Sequence, residues 1–334
     1  MAVPVSSAIL ESQLDFPDNR LMADLVGPHG AHLAQIEQLM GVRIVHRGNV
    51  LTIQGEGAAE AERVVNALYA RLEAGKQVDM GAIDGLIRLR AETEEEGARS
   101  GDQVEMFPGP SLEIRTRKKT VEPRTEGQRA YLQALLENEL TFGIGPAGTG
   151  KTYIAVAVAV SKFIAGEVDR IILSRPAVEA GEKLGFLPGT QDEKVDPYMQ
   201  PLYDALNDFL PGKQLAKLRE EKRVEIAPLA FMRGRTLSNA FVILDEAQNA
   251  TTMQMKMFLT RLGQGSRMAI TGDRSQVDLP RGVQSGLRDA EGILKGVDGI
   301  SFTYFTAADV VRHPLVARII DAYDREAETG TAPR

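Results

Sequence analysis

The chain has 334 residues, 43% of them hydrophobic and 25% charged, which is the balance of a globular protein with length for roughly two domains of about 150 residues each. Zero cysteines and four histidines exclude disulfides, thiolate catalysis and cysteine zinc sites, and argue against a histidine-rich metal centre. A net charge of −7, no tryptophan and 5% aromatic residues exclude a protein that coats nucleic acid by bulk charge or by a long stacking platform, so any such binding must come from a local patch.

The first stretch, "MAVPVSSAILESQLDFPDNR", has no basic region before an apolar core, so no signal peptide is expected. No apolar run approaches the roughly 20 residues that span a bilayer, and a cytoplasmic protein with no membrane partner is expected. Residues 10–91 then alternate short strand-like and helix-like runs. A helix leads to Gly27-Pro28-His29-Gly30, and a second helix follows. Strands are predicted at Val42–Val45 and Val50–Gln54, joined by a turn at Arg47-Gly48-Asn49, with a last helix over Ala58–Leu72. This order resembles a KH domain, in which a G-x-x-G loop between two helices clamps about four nucleotides of single strand. The resemblance implies single-stranded RNA held at Gly27, Pro28, His29 and Gly30. Pro28 and His29 stand where KH loops usually carry a basic residue, which lowers the expected affinity. The alternative is a small packing module whose loop is a plain turn.

Residues 92–124 are expected to be a charged linker. The stretch opens with "ETEEEGARSGD", passes through "MFPGPS" and turns basic at "IRTRKKTVEPR". Arg115, Arg117, Lys118 and Lys119 either extend a nucleic-acid track or are merely solvated.

From Thr125 to about 326, apolar runs alternate with helical patterns, the signature of a parallel sheet with crossover helices. Strands are predicted at Leu140–Ile144, Arg170–Ser174, Val224–Ala227, Phe241–Leu244, Arg267–Thr271 and Ile300–Tyr304. After the first comes "GPAGTGKT", a G-x-x-x-x-G-K-[ST] loop comprising Gly145, Pro146, Ala147, Gly148, Thr149, Gly150, Lys151 and Thr152. Its glycines let backbone N–H groups turn inward around a phosphate, and the following helix adds its positive end. Lys151 would reach the β- and γ-phosphates of ATP, and the Thr152 hydroxyl would bind Mg²⁺. "FVILDEAQN" ends a buried strand on two carboxylates: Asp245 is suited to hold Mg²⁺ and Glu246 to polarise the attacking water. "MAITGDRSQVDLP" delivers Gly272, Asp273 and Gln276 to the same sheet edge, with Gln276 as a γ-phosphate sensor. Gln128, upstream in "TEGQRAYLQALLEN", is placed either to read adenine with its amide or on a helix surface. Arg175, ending a strand in "LSRPAVEAGEKLGFLPG", is read as touching phosphate, a partner subunit or RNA.

These elements in this order resemble the first motor domain of superfamily-one helicases. More closely, "GPAGTGKTYIAVA", "SRPAVEAGEKLGFLPG", "DPYMQPLYDAL", "FVILDEAQNATTMQMKMFLTRLG" and "DVVRHPLV" resemble the PhoH family of ATPases over about residues 114–322. The resemblance implies an α/β fold: a RecA-like P-loop NTPase core with a parallel sheet, beside the small α+β KH-like domain. It also implies ATP and Mg²⁺ as cofactors, and a role in RNA metabolism, ribosome maturation or the phosphate-starvation response, with a possible ribosome-maturation or RNA-processing protein partner. About thirty residues follow Tyr304, too few for a second motor domain. A neighbouring copy in a homo-oligomer, expected to be a hexamer, would then close the cleft. Arg312 in "DVVRHPLVARII" is the candidate donor of a trans-acting arginine, worth about 10³–10⁵ in rate; otherwise it caps the domain in cis. A nucleotide-switched binding module and a small-molecule kinase are the rival activities. A water-activating Glu246 disfavours the kinase, in which it would waste ATP.

Overall fold

Leu140–Ile144 and Ala240–Leu244 are apolar or uncharged throughout and buried at every position, the pattern of strands covered on both faces. A computed structural model describes residues 11–88, 90, 112–176 and 191–311, of 191–197 the backbone only. The chain forms two units, Met1–Pro108 and Gly109–Arg334.

In the first unit, β1 (Glu11–Asp15), β2 (Arg43–Arg47) and β3 (Val50–Gln54) form an antiparallel sheet in the order β1-β3-β2. Helices α1 (Asn19–Val26), α2 (Ala31–Met40) and α3 (Ala58–Glu73) are followed by a short helix over 80–88, α4. Alternate strand residues Ile44, Leu51 and Ile53 point into one core with Leu25 of α1, Ile36 of α2, Val65 of α3 and Ile83 of α4. The expected helix, G-x-x-G turn, helix, strand, strand, helix order is present. β1 is an addition, because "ESQLD" lacks apolar alternation and is placed by backbone pairing with β3.

In the second unit, the expected linker ends early. Ile114 is buried, and the short strands β4 (Ile114–Arg115) and β5 (Thr120–Val121) pair as a hairpin. The hairpin is built onto the core: Lys118 donates to the Asn207 carbonyl at 2.6 Å and Lys119 pairs with Asp208 at 2.7 Å. Both lysines thus serve as struts in this unit. Residues 92–111, like 312–334, lie outside the described residues.

The core sheet has six parallel strands: β6 (Leu140–Ile144), β7 (Arg170–Arg175), β8 (Val224–Pro228), β9 (Ala240–Leu244), β10 (Arg267–Gly272) and β11 (Ile300–Tyr304). Their order is β11-β6-β10-β9-β7-β8. One face, with Ile171, Leu173, Phe241 and Ile243, packs on α5 (Glu126–Glu137), α6 (Lys151–Ala165), α7 (Gln191–Phe209) and α8 (Gly212–Glu220). The other, with Ile172, Val242 and Leu244, packs on α9 (Thr252–Leu259) and α10 (Gly286–Leu294). The period of two along each strand separates the two cores. All six carboxyl ends lie at one edge, where ligands bind in open parallel sheets. Strand β10 lies between the strand that feeds the glycine loop and the strand that carries the acids, the arrangement of a RecA-like core. No helix among the described residues is long and apolar enough to cross a membrane.

Candidate functional site

Strand β6 runs into the glycine loop at Gly145. Its φ is +154°, and a Cβ there would meet the Phe305 carbonyl oxygen at 2.5 Å, so a side chain is excluded. The loop is tied on both sides: Gly145 N–H donates to the Gly272 carbonyl at 3.0 Å, and Val311 N–H donates to the Gly148 carbonyl at 3.0 Å. Helix α6 starts at Lys151, so its free N–H groups open onto the loop.

Lys151 donates to the Gly145 and Pro146 carbonyls, each at 2.7 Å, so its ammonium lies across the loop's mouth. Burial pulls its pKa below the ordinary lysine value, opposed by the charges of Asp273, Asp245 and Glu246. Thr152 Oγ1 donates to Asp245 Oδ1 at 2.5 Å, and Thr271 Oγ1 donates to the same oxygen at 2.7 Å. Thr152 and Asp245, 93 positions apart, thus meet, and Lys151 lines the same cleft.

Glu246 stands just past β9 with φ 52° and ψ 39°, a region that a non-glycine residue occupies at a cost of about 1–3 kcal/mol. Gln248 Nε2 donates to Glu246 Oε2 at 2.6 Å, and Gln248 Oε1 accepts from Asp273 N–H at 3.0 Å. Gln248 thus ties the second acid to the loop after β10. Gln276 lies on that loop and lines a cleft of about 270 Å³ with Gly150, Lys151, Thr152, Asp245 and Glu246. Tyr153 lines it as well.

Two positions differ from expectation. Gln128 is 5% exposed; its Oε1 accepts from Arg124 N–H at 2.8 Å and its Nε2 donates to the Thr149 carbonyl at 3.0 Å. Its amide braces the glycine loop, and the helix-surface assignment does not describe it. Arg175 touches the acids instead of standing free for phosphate, partner or RNA: Nε reaches Asp245 Oδ2 at 2.9 Å and Nη2 reaches Glu246 Oε1 at 3.1 Å. Arg312 lies outside the described residues.

The donor set fits magnesium. Thr152, Thr271 and Asp245 offer hard oxygens beside the loop, and Asp273 Oδ2, on a side chain 7% exposed, has no partner among the described residues. No cluster of three or more His, Cys, Asp or Glu forms a metal cage among the described residues. Magnesium suits such a site, because it is held by few protein ligands and by the nucleotide's own phosphates.

In the first unit, the G-x-x-G turn has Gly27 and Gly30 at φ +73° and +77°, with His29 at φ 53°. Pro28 and His29 are exposed. Gly27 sits on the His32 ring, whose atoms would lie 2.5 Å from a Cβ there, and His32 Nδ1–H donates to the Asp24 carbonyl at 2.9 Å. An open groove of about 830 Å³ runs beside the turn, between α1 and residues 75–80. His32 was not legible as part of this turn, because its role comes from packing under Gly27.

Fold and site together define a P-loop nucleotide-binding protein with a RecA-like core. The chain belongs to the PhoH-like protein family, whose model matches residues 120–324. A PhoH-like protein of Bacillus subtilis is 48% identical over 319 residues, covering 95% of this chain and 98% of its own. One from Synechocystis is 44% identical over 95% of both chains. Protein PhoH of Escherichia coli is 48% identical over 202 residues, 60% of this chain and 57% of its own. Among solved structures, the UvsW helicase of bacteriophage T4 aligns over 72% of this chain and 77% of its own, at 13% identity and a TM-score of 0.37. That likeness is too slight to carry an argument.

Proposed function

We propose that this protein is a Mg²⁺-dependent ATPase that couples hydrolysis to binding or remodelling single-stranded RNA. The observation that carries the reading is the meeting of Thr152, Asp245 and Glu246 at the mouth of the glycine loop, with Lys151 across it. The loop amides and Lys151 hold the phosphates. Thr152 and Asp245 hold Mg²⁺, which when bound neutralises phosphate charge. Glu246 takes a proton from the attacking water, and Gln276 senses the γ-phosphate. The G-x-x-G turn supports RNA binding of the KH kind, with Gly27, Pro28, His29 and Gly30 against the sugar-phosphate chain. A neighbouring copy in a homo-oligomer closes the cleft, with Arg312 as the donated arginine.

A second reading, a nucleotide-switched assembly module with slow hydrolysis, is favoured by the engagement of both acids with Arg175. ATPase rate measured against protein concentration, with and without single-stranded RNA, separates the two. The RNA-coupled ATPase predicts a specific activity that rises with concentration and several-fold with RNA. Flat turnover, with ATP changing only the assembly state, would instead select the switch.

A further inference from the structure

We propose that Arg175 is the residue through which α7 reads the state of the nucleotide cleft; this rests on the nucleotide reading above. Its guanidinium makes three hydrogen bonds in three directions. Two go to Asp245 and Glu246, and the third runs from Nη1 to the Tyr198 carbonyl of α7 at 2.8 Å. The side chain is 16% exposed and that of Asp245 6%, so the pair is largely withdrawn from water. Charge-assisted bonds of this kind are the strong ones.

The four carboxylate oxygens of the two acids all accept from protein donors: Thr152 and Thr271 on Asp245 Oδ1, Arg175 on Oδ2, and Arg175 and Gln248 on the two oxygens of Glu246. Lys151 points its ammonium at loop carbonyls. Arg175 is therefore the cation directly paired with both adjacent acids in this state. A divalent cation at Thr152 and Asp245 would do the same work with twice the charge. Arg175 and the cation thus compete for Asp245, and whatever weakens one strengthens the other.

The third bond gives that competition an output. At its carboxyl end α7 is fixed by Lys118 at Asn207, by Lys119 at Asp208 and by Tyr153, whose ring lies 4.7 Å from that of Phe209. Tyr153 directly follows Thr152 in the chain. Helix α7 is thus linked to the cleft at two points, by Arg175 at Tyr198 about two turns into the helix and by Tyr153 at its carboxyl end. When Arg175 releases the acids, its hold on Tyr198 changes while the far anchor stays. Its role is that of a positioning residue, acting on Glu246 and on α7 without touching phosphate.

Hydrogen exchange of residues 198–209 in the full-length protein, with and without Mg²⁺ and a non-hydrolysable ATP analogue, tests this directly. The wild type should show a several-fold change in exchange there on binding. Arg175→Ala should lose that change and should bind the analogue at a several-fold lower Mg²⁺ concentration, read by calorimetry. Arg175→Lys, which keeps the charge but cannot reach three partners, should retain the wild-type Mg²⁺ requirement and lose the α7 response. The inference is overturned if the wild type binds the analogue with no change over 198–209, or if Arg175→Ala responds as the wild type does. No binding by the wild type would remove the nucleotide reading itself, and this inference with it.

Discussion

At the scale of single residues, the site depends on charges held in geometry that no one residue could keep alone. In the proposed reading Lys151 is the cation the phosphates meet. Lys151→Ala should weaken nucleotide binding by roughly 10–100-fold, the worth of a lost hydrogen bond to a charged group; calorimetry showing unchanged affinity would contradict its place in the cradle. Gly145 is fixed by space as well as by backbone angle. Gly145→Ala should abolish nucleotide binding, since its methyl group would press on the Phe305 carbonyl and push the loop off its ties to Gly272 and Val311. Retained affinity in a folded variant would show that the loop can shift. The glycines, lysine, threonine and paired acids were legible because each residue type has a chemical reason to stand there. Gln128 and Arg175 were not. Their identities fit several roles, and only their partners, 21 and 70–71 positions away, select one.

At the scale of elements, strands buried on both faces were the easiest to read. β6 and β9 are uncharged throughout because helices cover both sides of the sheet. β1 escaped the pattern because its pairing rests on backbone hydrogen bonds under polar side chains, and β4 and β5 because each is only two residues long, too short to show a period. Strand order was also hidden in the sequence. It is β7 pairing with β9, Ser174 opposite Leu244, that sets Arg175 beside Asp245. Strand β6, second from the edge of the sheet, is held from its outer side by β11, where Phe142 stacks on Phe302 with ring centroids 4.4 Å apart. Phe142 is fully buried. Phe142→Ala should cost about 3–5 kcal/mol, read as a lower urea midpoint for the second unit; a loss under about 1 kcal/mol would mean that the strand is not packed as described.

At the scale of the whole molecule, the two units present separate chemistries, a phosphate cradle and a G-x-x-G turn. The turn has two exposed side chains, Pro28 and His29, between its glycines. Replacing both with Asp should remove single-stranded RNA binding by charge repulsion against phosphate while leaving nucleotide affinity intact. Unchanged RNA affinity in a gel-shift or anisotropy titration would move RNA recognition elsewhere on the chain, or remove it from the account. The proposed RNA role is less legible than nucleotide binding because a G-x-x-G turn depends on its surroundings for meaning, whereas a P-loop with paired acids points to its ligand by itself.

Glu246→Gln tests the central claim most directly, with Mg²⁺-ATP binding and single-turnover hydrolysis measured on the same preparation. The account predicts binding close to that of the wild type and hydrolysis slower by about 10²–10⁴-fold, the usual contribution of a positioned general base. Hydrolysis at the wild-type rate would contradict it.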